Sequence, residues 1–164
     1  MASGKKILLF GVVVGSIPGT AVGFALGIFF FPYLFPPPAI NETVADSGSR
    51  TVVASGEFIH ANPADPVHYG KGGYTLYHDL LHLETNFEVG PGPKYHVYLV
   101  PLDEVKPSSP VDETMYVDLG RLKAFSGSQN YPVPNGINLQ DFGSIVIWCE
   151  QFNILISPAK LEFK

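Results

Sequence analysis

Residues 143–163 read GSIVIWCEQFNILISPAKLEF, and this stretch decides the fold. From Ser144 to Cys149 the side chains alternate, with Ile145, Ile147 and Cys149 on one face and Val146 and Trp148 on the other. A polar break at Glu150 and Gln151 follows, after which Phe152, Ile154 and Ile156 alternate with Asn153 and Leu155. Period two in β-branched and aromatic residues specifies paired strands, one or both buried on two faces. The stretch also holds the only cysteine and the only tryptophan, side by side. If the chain does thiol or electron chemistry through its own side chains, Cys149 is the place for it.

The same signature recurs upstream. Residues 51–59 read as a first strand, 62–73 as a Pro/Gly loop, and 74–77 with 80–87 as a hairpin turning at His78-Asp79. Gly90-Pro91-Gly92-Pro93 reads as a rigid turn before a strand at 95–100. Residues 105–113 read as loop, and 115–122, 131–133 and 137–139 as shorter extended pieces. Gly92, Gly120 and Gly127 read as turn glycines, and Trp148, Gly92, Pro93 and Gly120 as structural residues, with the Trp148 ring in the core. Beyond residue 40 no segment shows helical periodicity. Many short strands with turn punctuation predict an all-β, antiparallel sandwich or barrel-like domain, and its length suffices for one core.

The N-terminal part is of another kind. Residues 7–35 carry no charge and are long enough, at about 1.5 Å per residue, to cross a hydrocarbon layer of about 30 Å. Lys5 and Lys6 precede the run and the next basic residue is Arg50. The positive-inside rule then puts the N-terminus in the cytoplasm and the rest outside the plasma or inner membrane. The run is longer than a cleaved signal's apolar core, so an uncleaved signal-anchor is expected. This divides the chain into a cytoplasmic 1–6, a transmembrane helix 7–35, a Pro-rich and polar linker 36–51, and a β domain 52–164. Pro18 is expected to kink the helix, and Pro32 with Pro36 to Pro38 to end it. Gly11, Gly15, Gly19, Gly23 and Gly27 recur every four residues on one helical face, a pattern that favours close helix–helix packing and so a homo-oligomer or a partner helix.

Charge narrows the partners. After the apolar run stand eight basic and fifteen acidic residues, a net of −7. An acidic domain disfavours nucleic acid, whose phosphates need clustered Lys and Arg. One cysteine excludes an intrachain disulfide and a multi-thiolate zinc site.

In order, GPGPKYHVYL at 90–99, VDLGRLKAFSGSQNYPVP at 117–134 and IVIWCEQFNILISPAKL at 145–161 resemble the DM-13 domain, also called the electron-transfer DM domain. ASGEF at 54–58 and the hairpin at 73–87 fit as well, so the resemblance spans 52–163. It implies an extracytoplasmic β-sandwich-like module. In animals and plants such modules sit beside haem-binding DOMON and cytochrome-type domains, and in bacteria often alone behind a membrane anchor. It also implies a redox role for the family cysteine, which Cys149 matches. The His-rich hairpin departs from the family's common form, and no function is carried onto it.

Read from the residues, Cys149 has two roles open to it. A thiol acts in redox chemistry as thiolate, near cations or a helix N-terminus and with access, and the adjacent acid Glu150 supplies neither. The other role is a small buried hydrophobe. The strand reaches the polar pair 150–151 directly after Cys149, so the sulfur is expected at the sheet's rim, half covered, with Trp148 pointing the other way. A lone thiol needs a second sulfur from a partner, a second copy or a bound cofactor to cycle.

His60, His68, His78, His82 and His96 show no metal-ligand spacing, and no metal or other cofactor is assigned. The chain has no Cys-x-x-Cys-His for covalent haem, and bis-histidine or His/Met haem is geometrically open but not favoured over surface and strand histidines. Tyr74, Tyr77, Tyr95, Tyr98, Tyr116 and Tyr131 read as sheet packing rather than a sugar or electron path. There is no nucleophile elbow, no phosphate-binding glycine loop and no catalytic carboxylate pair, so the chain does not read as an enzyme. Two functions follow: a membrane-tethered redox accessory centred on Cys149 with an envelope partner, or a non-catalytic binding or scaffold module with a structural cysteine.

Overall fold

The computed structural model describes residues 2–164. The chain forms two compact units, Met1–Pro36 and Pro37–Lys164. The first is a single helix, α1 (Ala2–Leu34), which runs through both Pro18 and Pro32. Pro32 therefore does not end the helix as expected; the last turn closes beyond it, with Phe35 N–H donating to Phe31 O at 2.8 Å. A proline gives up its own N–H bond and crowds the carbonyl four residues before it, but bonds made by its neighbours carry the helix two residues further. Over Gly4–Leu34 the helix is long and apolar enough to cross a membrane. Its five aligned glycines face open space.

The second unit is built on one curled sheet, a half-barrel. Its strands are β1 (Ile40–Asn41), β2 (Val52–Phe58), β3 (Gly70–Tyr77), β4 (Leu80–Leu83), β5 (Glu88–Val89), β6 (Tyr95–Val100), β7 (Val117–Arg121), β8 (Gly127–Pro132), β9 (Ser144–Cys149), β10 (Ile154–Lys160) and β11 (Glu162–Phe163). Nine lie in the order β1-β8-β4-β3-β2-β10-β9-β6-β7, while β11 pairs with β2 and β5 with β3 at the margins. The expected all-β fold is found in its barrel-like form. All pairings are antiparallel except β1 with β8, which makes the sheet mixed.

Several boundaries differ from the sequence reading. Residues 70–73 belong to β3 rather than a loop. At Gly72 a side chain would collide with the backbone of Asn86 and Phe87, so the glycine serves a close strand approach. Gly120 and Gly127 lie in strands, not turns. Residues 137–139 do not form an extended piece; Leu139–Asp141 is a short 3-10 helix, with the Asn138 side chain accepting from Gln140 N–H. Within the polar stretch 36–51, Ile40 and Asn41 pair with Gly127 and Ser128. Glu42 then meets Lys123 Nζ at 2.8 Å and the Asn130 N–H at 2.6 Å. Burial works to raise the Glu42 carboxyl, but these two donors outweigh it and hold the carboxyl below its usual value.

The main core fills the concave side. Ile145 and Ile147 of β9, Val97 and Leu99 of β6, and Leu76, Leu81 and Leu83 of the hairpin are fully buried there. Each such side chain contributes about 1.5–3 kcal/mol by leaving water. A second, smaller cluster lies on the convex side, with Tyr98, Val100, Val105, Val111, Val146, Trp148 and Leu155. Trp148 is thus buried, but in this outer cluster and not in the main core where it was expected.

Candidate functional site

β9 and β10 form a hairpin in which Cys149 pairs with Ile154 and Trp148 with Leu155. Residues 150–153 make the turn, and Asn153 takes the left-handed conformation, φ 54°, that asparagine tolerates better than most residues. Phe152, read as a strand residue, therefore sits in the turn and is exposed. On its other side β9 pairs with β6, placing Cys149 opposite Tyr95 and Trp148 opposite His96. Alternation sends the two side chains to opposite faces, as the sequence predicts, and here the thiol is the inward one and the indole the outward one.

The rim position expected for Cys149 is not found. The residue is 1% exposed and belongs to the main core. Its Sγ–H donates to Pro93 O at 3.2 Å, and Glu150 N–H donates to Lys94 O at 3.2 Å. The turn at 90–94 therefore folds over the strand end and closes it. Lys94, at φ 47°, bends the chain back into β6. Gly92 is required here: a Cβ would lie 2.1 Å from the Tyr95 hydroxyl, so the turn rests directly on that ring. The cover is one turn thick. Beside it runs a groove of about 420 Å³, lined among others by Gly92, Lys94, Tyr95, Arg121 and Phe125. Lys94 and Arg121 place positive charge along this groove in an otherwise acidic domain.

The convex face beside Trp148 carries a second group of functional side chains, which the sequence reading did not single out as a site. The indole N–H of Trp148 donates to Asn153 Oδ1 at 3.3 Å, and Asn153 Nδ2 donates to Asp112 Oδ2 at 2.7 Å. Two residues along β6, Tyr98 stacks on Tyr116 with centroids 4.3 Å apart and donates its hydroxyl to Glu150 Oε1 at 2.9 Å. Burial, and after it the Glu150 carboxylate, push the Tyr98 phenol far above its ordinary value. His96 lies between two acids: its Nδ1 is 3.0 Å from Asp118 Oδ2 and its Nε2 is 3.5 Å from Glu150 Oε2. Asp118 is held by a bulge, where the β6–β7 register shifts between Val97 and Tyr98. Gly120 sits in that bulge at φ +125°, a backbone angle that asks for glycine although the space around it is open. Its N–H donates to Asp118 Oδ1 at 2.8 Å.

The other histidines have separate partners. His60 Nε2 lies 2.8 Å from Asp65 O, and His82 Nδ1 lies 2.6 Å from Asn130 Oδ1. The His68 ring, at 2.6 Å, and two backbone N–H groups hold the Asp65 carboxyl down at about 2. His78, in the β3–β4 turn, is exposed. Of the six tyrosines at 74, 77, 95, 98, 116 and 131, all but the exposed Tyr116 are buried in the sheet's two clusters or beside them.

No curated protein and no solved structure matches the chain. A family model described as electron transfer DM13 matches residues 65–161. The match covers more than half of the chain and takes in the 90–94 turn, β6, the Gly120 bulge and the hairpin that carries Trp148 and Cys149. The chain therefore belongs to the DM13 electron-transfer family.

Proposed function

We propose that this protein is a membrane-anchored electron-transfer accessory whose redox group is Cys149. Family membership supports the electron-transfer role, and the placement of the sole thiol behind a single turn carries the assignment to Cys149. Displacement of the 90–94 turn opens the sulfur toward the groove, where Lys94 and Arg121 favour an anionic partner surface and a thiolate. The thiolate attacks a disulfide of an envelope redox protein, forming a mixed disulfide and releasing the partner's other sulfur as thiolate. The apolar helix tethers the domain, with Lys5 and Lys6 on the cytoplasmic side and the β unit outside the plasma or inner membrane. The glycine stripe supports pairing of helices within that membrane.

The burial of Cys149 in the core favours a second reading, a binding or scaffold module with a structural cysteine. One experiment separates them: alkylation of the full-length protein in detergent at neutral pH, with the thiol counted by mass. Modification of the native protein within minutes supports the redox reading. A thiol that reacts only at the rate of global unfolding overturns it and leaves the scaffold.

A further inference from the structure

We infer that His96, Asp118 and Glu150 form a binding site for a divalent transition-metal ion of the zinc or copper class on the convex face of the sheet. One ligand atom from each residue lies within 4.8 Å of the other two. Ligand bonds of about 2.0–2.2 Å bring such atoms to roughly 3 Å from one another, so closure on an ion uses one imidazole nitrogen and draws the carboxylate now at the other nitrogen toward it. Imidazole nitrogen with two carboxylate oxygens suits borderline first-row ions, and carboxylates alone suit calcium or magnesium.

Three features distinguish this trio from a solvated ion pair. Each carboxylate has one oxygen engaged from behind. Tyr98 donates to Glu150 Oε1 at 2.9 Å, and Gly120 N–H donates to Asp118 Oδ1 at 2.8 Å. Glu150 Oε2 is the oxygen turned to the imidazole, while both oxygens of Asp118 lie beside its Nδ1, Oδ2 at 3.0 Å and Oδ1 at 3.2 Å. Such outer hydrogen bonds are what orient metal ligands. The scaffold is also fixed by the strands: His96 lies in β6 between β9 and β7, Asp118 is aimed by the bulge in β7, and Glu150 directly follows the fully buried β9. Finally, the charges are unbalanced. Among the described residues no lysine or arginine forms an ion pair with either carboxylate, and a dication answers two negative charges where a single ring proton does not.

The inference stands apart from the role of Cys149, since ion uptake is read without any redox assay. The test is calorimetric titration of the full-length chain in detergent with Zn²⁺ alone, then Cu²⁺ with its paramagnetic resonance spectrum. Saturable uptake of one ion per chain is expected, with one imidazole nitrogen in the copper spectrum. His96→Ala and Glu150→Gln should each weaken uptake by tenfold or more. Tyr98→Phe, which only frees Glu150, should weaken it about tenfold, as loss of an outer-sphere partner does. His68→Ala should change nothing. Glu150 is exposed, so its glutamine variant keeps the fold and carries the test even where His96→Ala does not fold. Absence of saturable uptake, uptake unchanged in Glu150→Gln, or equal binding of Ca²⁺ overturns the assignment.

Discussion

Trp148 and Cys149 are neighbours in the chain, and they face two different environments. Cys149 points into the concave core, in one apolar cluster with Tyr95, Val97, Ile147 and Ile156, and its thiol donates to a backbone carbonyl. Trp148 points to the convex side, into a cluster of seven buried residues bordered by His96, Asp112, Asp118 and Glu150. The concave face supplies stability and seals a reactive group. The convex face supplies titratable groups in fixed geometry. Burial is therefore no guide to chemistry in this domain: the residue with the most reactive side chain is covered, and the polar constellation lies on the opposite side of the same strand.

The largest test of that contrast is Trp148→Ala. If the convex cluster is a true second core, the variant should lose about 3–5 kcal/mol in chemical denaturation, as aromatic truncations in cores do. A loss under about 1 kcal/mol would make the convex cluster a surface and leave the concave core alone holding the domain.

A smaller effect is expected from Cys149→Ser. The hydroxyl can still donate to Pro93 O, but it brings a polar atom into an apolar site, so the cost should be about 1–3 kcal/mol. No cost at all would mean that water reaches the sulfur, and the seal at 90–94 would be open in solution.

The smallest effect separates two tyrosines, one on each face. Burial raises the Tyr74 phenol to about 12 on the concave side, where its hydroxyl donates to Lys160 O. Tyr98 on the convex side is raised by burial and additionally by Glu150. Folded values above the unfolded one mean stability that is fully present below about pH 10 and lost as pH rises through the folded values. In an absorbance titration at alkaline pH, Glu150→Gln should bring Tyr98 down toward its ordinary value while Tyr74 is unmoved. A parallel shift of both would place them in one coupled environment and dissolve the distinction between faces.

How much of this was readable without coordinates depends on range. Period two made the strands legible. It misjudged Phe152 because a hairpin needs turn residues, and an apolar side chain can occupy a turn when Asn153 supplies the left-handed angle. Gly120 was legible as a special position, but not as part of a strand, since a bulge and a turn ask for the same positive φ. The candidate metal ligands were not legible at all. His96, Asp118 and Glu150 are far apart in sequence, and only the β6–β7 and β6–β9 registers bring them together.

The sequence by itself determined the apolar helix, the all-β class, the family, and the opposite facing of Trp148 and Cys149. The helix, the class and the facing follow from local periodicity and composition, which adjacent residues carry, and the family from the motifs at 90–99, 117–134 and 145–161. Tertiary structure decided what each face meets. Cys149 is covered because Pro93, 56 residues away, is folded over it. The sheet is assembled into one half-barrel through pairings such as β2 with β10 and β4 with β8, which join distant segments. A strand's alternation says which side a residue points to; only the path of the rest of the chain says whether that side is core, cover or open surface.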